Sequence, residues 1–589
     1  MELGDSDVLK EKLPDASYLK AVIIMDGSNR YSSPSIRTGY RIKSAAMTRA
    51  IIQLFRLTIM MSKISVDDTH WNQAVKRFGS ATVAHLLDLP INVQPDPTDV
   101  RRREVLEQLA VSWGDEPMSG EQRISFLCFR LAIILPGHNR TFVEGVRHYL
   151  GGWLPRKTGD ELVDSLVRLV FNGLAMEKIP GADKDRISIS AAFQDPRLCT
   201  PAAEAFLKDP ELTKLFPGAK QEPDEQGRIR AFSLLLWLPA GGGTIDLSIL
   251  IGNFVEQTLA RMRFAEQLTE DHIEDYVVDS LEQLRKLARG EEVDILVMTG
   301  LVGIETIDSL DCGTWGIRPA QGLAISQIPF SESEYQRPKS VLWMRVPHRL
   351  LARHRADIDE EEANKLFEEL SDQHKVFHSQ LRREVLTIQF GLLAWAVEEE
   401  KHHAVNAQAT ASWSLLPLAS AQPPWTYEPP VQRGVIAMKL DALKMVARVV
   451  DELGALTDRL DIALTRMVRV ASEDRRPADA LIDAVIAWEN MLGSKSETTF
   501  KVSAALSWLL EPEDLEARRT LNARAKKIYN LRSRIVHGEV DDDMAEAAKF
   551  SKEALTLAVR VFRHIHAQPK LKDMSSSARA EMILLGCDS

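Results

Sequence analysis

Cysteine is scarce in this chain: Cys128, Cys199, Cys312 and Cys587 are the four in 589 residues, and no two form a Cys-x-x-Cys pair. That excludes a zinc site built on paired cysteines and offers no disulfide framework, so reduced thiols are expected. Long apolar runs are missing too. "AIIQLFRLTIMM" is broken by Arg56 and falls short of the ~20 residues a membrane-spanning helix needs. The opening "MELGDSDVLKEKLPD" lacks the basic start and apolar core of a secretory signal. A cytoplasmic protein with no membrane partner is the expectation. Positive charge is in deficit as well. At a net −11 the chain cannot coat nucleic acid by bulk electrostatics, and any such contact must come from a local basic patch.

Several catalytic signatures are also absent. No Gly-x-Ser-x-Gly elbow supports a serine hydrolase, and no His-Glu-x-x-His supports a zincin. "PAGGGTIDL" lacks the Gly-Lys-Ser/Thr ending of a phosphate loop and reads as a flexible turn at Gly241 to Gly243. "AVIIMDGSNRY" is loosely similar to the opening motif of cis-prenyltransferases through Asp26, Gly27, Asn29 and Arg30. Ser28 interrupts that pattern and the later motifs are missing, so a strand and turn is the plainer reading. His374 and His378 share one helix face, with Glu369 and Asp372 near, and read as a solvated surface. His402 and His403 follow three glutamates at a helix end, where the dipole favours them. No metal and no cofactor are expected.

What is present is a soluble globular composition, 45% hydrophobic and 27% charged, in a chain too long for one ordinary core. Two polar, proline-bearing segments divide it. Residues 208–228 carry Pro210, Pro217 and Pro223 and read as a linker or loop. Residues 417–434 hold five prolines in eighteen residues, a composition that excludes a helix or a central strand. Residues 1–207 are then a mostly helical N-terminal region, with helical periodicity in "SAAMTRAIIQLFRLTIMMSKI" and "GDELVDSLVRLVFNGLAM". Residues 229–416 are a mixed α+β regulatory or sensor region. "RAFSLLLWLPA" and "VDILVMTGLVGIETIDSL" are strand-like there, and "DEEEANK" opens a long helix or helix pair. Residues 435–589 read as an all-α helical bundle: five stretches of helical period run from "AMKLDALK" to "FRHIHAQ". The fold class is thus multidomain, mixed α+β followed by a helical bundle.

The chemistry-bearing stretch is "KIYNLRSRIVHGEV". At about 100° per residue, Arg532 lies over Leu521, Ala525 and Ile528 on the apolar face, and His537 lies roughly 140° away. An arginine on an apolar stripe must find a partner or face a cleft. It can pair with an acid such as Glu489 while His537 merely caps the helix, or it can line a working surface. Gly538 is the residue to stop the helix, and unwinding there, or a second copy of the chain, would bring the two groups together. Their chemistry suits metal-free cleavage of an RNA phosphodiester. Histidine exchanges protons near neutrality and arginine offers planar, permanently charged donors to phosphate. Tyr529, Asn530, Ser533 and Arg534 are placed to position them. Arg518, Arg519, Arg524, Lys526 and Lys527 make the preceding stretch locally basic, as RNA binding requires.

Tyr529, Arg532, Ser533, His537 and Gly538 spell Tyr-x-x-Arg-Ser-x-x-x-His-Gly, and "AVIAWENMLG" supplies an earlier helix around Trp488, Glu489 and Leu492. From Met438 to Gln568 the chain resembles the Apea-like HEPN family. That resemblance implies a metal-independent endoribonuclease, homodimeric through this domain, with Arg532 and His537 as the catalytic pair. It also implies a toxin or antiphage-defence role against cellular RNA, transfer RNA among the candidates, with the N-terminal part answering an unknown trigger. Some HEPN domains only dimerise or bind nucleotides, and that non-catalytic reading stays open.

Overall fold

The computed structural model describes residues 68–111, 120–134, 139–180, 196–217, 219, 229, 231–237, 241–320, 338–353, 359–399, 408–415, 425–426, 435–454, 458–472, 476–493, 498–538 and 544–585. The expectations about the opening segment, Asp26 to Arg30, the helix over "SAAMTRAIIQLFRLTIMMSKI", and His402 and His403 lie outside these residues, as does the His374 side chain. The described chain is mostly helical, with antiparallel sheet in its middle.

Among the described residues seven helices come first: α1 (Asp68–Phe78), α2 (Ser80–Leu87), α3 (Val100–Val111), α4 (Gly120–Ala132), α5 (Phe142–Leu150), α6 (Glu161–Glu177) and α7 (Pro196–Lys208). Capping side chains fix the starts of α5 and α6. Asp160 accepts from the backbone N–H groups of Leu162 (2.9 Å) and Val163 (3.1 Å). At α5 the Thr141 hydroxyl and the Glu144 carboxylate exchange a capping box. Helix α6 is buried on nearly every side, its core residues running from Leu162 to Met176. A charged cluster binds this region to Glu270. Arg147, 1% exposed, donates to Asp88 (2.5 Å) and Glu270 (2.5 Å), and His85 Nδ1 lies 3.2 Å from Glu270. Burial holds the His85 imidazole below its usual pKa against the opposing pull of Glu270.

The sheet region follows: β1 (Phe232–Trp237), β2 (Gly241–Asp246), α8 (Leu247–Phe264), α9 (Ile273–Ala288), β3 (Val293–Val302), β4 (Ile304–Thr306), β5 (Leu310–Asp311), β6 (Trp315–Pro319), β7 (Ser340–His348) and β8 (Leu350–Arg353). Later come β9 (Gln408–Leu415), β10 (Trp425–Thr426) and β11 (Ile436–Met438). The main sheet is antiparallel throughout, in the order β10-β9-β3-β7-β6-β5. From Ile295 onward its central strand β3 is largely apolar, because there both faces are covered. Val293, Ile295 and Val297 join the core shared with the N-terminal helices, while Met298 packs with Trp343 and Ala260 on the other side. A smaller antiparallel sheet has the order β2-β1-β8, and β11 pairs in parallel with β4.

Two details depart from the sequence reading, and a third agrees with its exclusion of a central strand. Gly241 to Gly243 are not a turn but the first half of β2, opposite Leu235, Leu236 and Trp237. Within the supposed linker 208–228, Leu212, Leu215 and Phe216 are fully packed into the main core, and Asp209 accepts from Arg285 at 2.9 Å. Inside the proline-rich segment, Trp425 and Thr426 form β10, an edge strand, the position where proline neighbours are tolerated.

The long acidic-to-basic stretch is one helix, α10 (Glu360–Glu398), of 39 residues. It ties the two halves of the molecule together. Phe377, Leu381 and Val385 belong to the first core, whereas Phe390, Leu393 and Ala394 belong to that of the C-terminal helices. Those helices are α11 (Leu440–Leu453), α12 (Asp461–Ser472), α13 (Pro477–Leu492), α14 (Thr498–Leu510), α15 (Leu515–Val536), α16 (Met544–His566), α17 (Pro569–Lys572) and α18 (Ser576–Leu585). Trp488 is fully buried at their centre and donates its indole N–H to the Ala554 carbonyl at 3.0 Å. Truncating a side chain of this size in a packed core costs ~3–5 kcal/mol. Arg563 on α16 reaches both Glu398 of α10 and Glu452 of α11, so charge as well as packing fastens the long helix to the bundle.

Candidate functional site

Helix α15 begins at the Asp514 cap, whose carboxylate accepts from the N–H groups of Glu516 and Ala517, both at 2.9 Å. It buries Ala525, Ile528, Tyr529 and Leu531 against the bundle. Its end follows from Gly538, which sits at φ +70° and donates to the Ile535 carbonyl at 3.1 Å. His537 is the capping residue, its N–H bonded to the Ser533 carbonyl at 3.0 Å. Its ring is exposed, and among the described residues no side chain bonds it.

Arg532 turns the other way, toward α13. Its Nη2 donates to Glu489 Oε2 at 3.3 Å, and the Tyr529 hydroxyl donates to the other carboxylate oxygen. The guanidinium carbon stands 5.8 Å from the centre of the Tyr529 ring. Burial, then the hydrogen bond and charge of Glu489, push the Tyr529 phenol well above its usual pKa. The pair is not sealed from solvent: the side chains of Arg532 and Glu489 are 20% and 25% exposed. The Arg532 Nε, in contrast, is buried without a partner. Asn530 and Arg534 are exposed and Ser533 is half-buried. The structure thus joins Tyr529 and Arg532 through Glu489. His537 stands at the open end of the same helix, on a different side.

The basic residues divide. Arg524 grips Glu553 through two bonds, one of 2.6 Å, and lies over the Phe550 ring at 4.3 Å. Arg519 pairs with Glu516 at 2.8 Å. Both are neutralised within the chain, which weakens their expected role toward RNA. Arg518 donates to the Glu511 and Pro512 carbonyls and stacks on Trp508 at 3.6 Å. Lys526 lies 5.5 Å from the centre of Phe500, and Lys527 is exposed. Phe500 and Trp508, which carry no signal in the sequence motif, are two exposed aromatics on a helix whose other apolar residues are buried or half-buried.

A separate cleft of about 740 Å³ opens where α10, α11 and α16 meet, lined by Glu398, Glu452, Arg560, Arg563 and His564 among apolar residues. Among the described residues no group of three or more His, Cys, Asp or Glu could hold a metal ion, and no helix is long and apolar enough to cross a membrane. No protein-family model, no curated protein and no solved structure matches the chain.

Proposed function

We propose that this protein is an endoribonuclease of the HEPN kind, cleaving RNA without a metal and acting as a regulated toxin or defence effector. The observation that carries the proposal is the last turn of α15. It holds Arg532 at the bundle surface and releases His537 to solvent where Gly538 stops the helix. The His537 imidazole takes the proton of a 2′-hydroxyl, the 2′-oxygen bonds to phosphorus, and the 5′-oxygen leaves with a proton returned by that ring or by one from a second copy. Arg532 stabilises the negative charge gathering on the phosphorane oxygens. The products are a 2′,3′-cyclic phosphate and a 5′-hydroxyl. Tyr529 positions Arg532 through Glu489, and the long helix α10 is the physical link by which the first half of the chain would govern this end. The chain acts as a homodimer through the C-terminal helices, each copy completing the other's site.

The test is incubation of the purified full chain with total RNA and with transfer RNA in EDTA, beside His537→Ala. Cleavage by the parent alone, leaving cyclic phosphate ends, is expected. Equal cleavage by both proteins would remove His537 from the mechanism. One observation favours a second reading, the engagement of Arg532 by Glu489 and Tyr529: a clamp of this kind also suits a non-catalytic dimerisation or nucleotide-binding module. On that reading, expression of the chain is harmless whether or not His537 is present. On the nuclease reading, toxicity disappears with His537→Ala.

A further inference from the structure

The geometry points to the α14–α15 face as a stacking track for an unpaired RNA strand, with Trp508 and Phe500 taking bases and Arg518 and Lys526 taking phosphates. This rests on the ribonuclease reading and names the form of RNA that its site would receive. Helix α14 buries Val502, Ala505, Leu506 and Leu510, yet leaves Phe500 56% and Trp508 43% exposed. Eight residues apart on one helix, the two rings stand about 12 Å apart along its axis. Each carries a cation from α15: Arg518 on Trp508 at 3.6 Å and Lys526 on Phe500 at 5.5 Å, as the antiparallel docking of the two helices requires.

The cations also align with the candidate site. Counting about 100° per residue, Arg518, Asn522, Lys526, Ser533 and His537 fall within a sector of roughly 100° on α15. From Lys526 to His537 the axis advances about 17 Å. A strand laid along this sector therefore runs from the two rings to the exposed histidine. Charge favours the same occupant. Among the described residues Lys526 forms no ion pair, and Arg518 bonds only to backbone carbonyls, in a protein of net charge −11. Such a cluster is complementary to phosphate.

Base stacking on aromatic rings accepts any base, so the track is indifferent to sequence but not to pairing. In a duplex the base faces are stacked on one another about 3.4 Å apart and do not reach rings about 12 Å apart. A second copy of the chain is the weaker occupant, because protein interfaces are depleted in lysine at their core.

The experiment uses the full chain carrying His537→Ala, so that no RNA is consumed. Fluorescence anisotropy is read with a labelled fifteen-residue oligouridylate and with an RNA duplex of equal length. Adding Trp508→Ala or Phe500→Ala should weaken binding of the single strand roughly 5- to 150-fold and leave the duplex unchanged. Trp508→Phe should recover most of the loss. Unchanged single-strand binding in both alanine variants overturns the track. If those variants also elute as smaller species than the parent, the face is instead an interface between copies. The two proposals fail separately. Ring-dependent binding without cleavage by the wild-type chain would sink the nuclease and keep the track. His537-dependent cleavage indifferent to Trp508 and Phe500 would do the reverse.

Discussion

Replacing Glu489 with glutamine separates the two readings of Arg532. The carboxylate sits between the Tyr529 hydroxyl and the Arg532 guanidinium, 3.3 Å from Nη2. At that distance the gross attraction is about 5 kcal/mol for an effective dielectric of 20. Both groups reach solvent, so screening and desolvation reduce the net contribution to about 1 kcal/mol. Glutamine keeps one acceptor, its amide oxygen for Arg532, and its amide N–H can donate to the Tyr529 hydroxyl oxygen, so urea denaturation should show a loss of that order and no more. The larger effect is electrostatic. With Glu489→Gln the local charge rises by one, and if Arg532 faces phosphate, the slope of log affinity against log salt for single-stranded RNA steepens by up to about 0.7. Arg532→Ala should flatten the slope by a similar amount. The assay is a salt titration of anisotropy in the His537→Ala chain. Parent slopes in both variants would refute the placement of Arg532 against RNA and leave it a structural clamp.

Two further outcomes concern stability. His348 in β7 is 1% exposed, neither ring nitrogen has a partner, and burial lowers its pKa to about 3. A lowered folded pKa means the native state prefers the neutral ring, so its contribution is complete above pH 6.5 and is lost as pH falls toward about 3. His348→Leu should raise stability at pH 7 by about 1–2 kcal/mol and remove about 3 kcal/mol of the decline between pH 6.5 and 4, read by denaturant melts. An unchanged acid limb would show that the ring is not held neutral. Arg579 is fully buried and donates to the carbonyls of Met491 (2.6 Å), Leu571 (2.7 Å) and Met574 (2.8 Å). Arg579→Met strands these acceptors, one at the end of α13 and two in and after α17, and a loss of about 3 kcal/mol or more is expected in thermal or urea unfolding. A loss under 1 kcal/mol would show that water replaces the guanidinium.

Much of the C-terminal half is legible in the residues. Apolar spacing marks α13 to α16, and the reading differs mainly at the start of the bundle, where the described residues form a short strand, β11, and then two helices, α11 and α12. Helices α17 and α18 were not anticipated, since four and ten residues carry too little periodicity. The Arg519–Glu516 pair is local, three residues apart, and could have been read from spacing. Arg524 could not, because Glu553 lies 29 residues away on another helix. Likewise the strand character of "VDILVMTGLV" is plain in its composition, whereas Gly241 to Gly243 became strand only through pairing with β1.

By itself the sequence determined local matters: where α15 runs, that Gly538 ends it, and that Arg532 falls on its apolar face while His537 does not. Those follow from helical period and from the positive φ that glycine accepts. The tertiary structure alone decided which charges are spent and which remain. It set Glu489, 43 residues away, against Arg532, turned Arg524 inward to Glu553, and laid Arg518 and Lys526 on the two exposed rings of α14. The reason is physical: an ion pair or a stacked ring depends on the distance between side chains of different helices, and only the packing of those helices sets it.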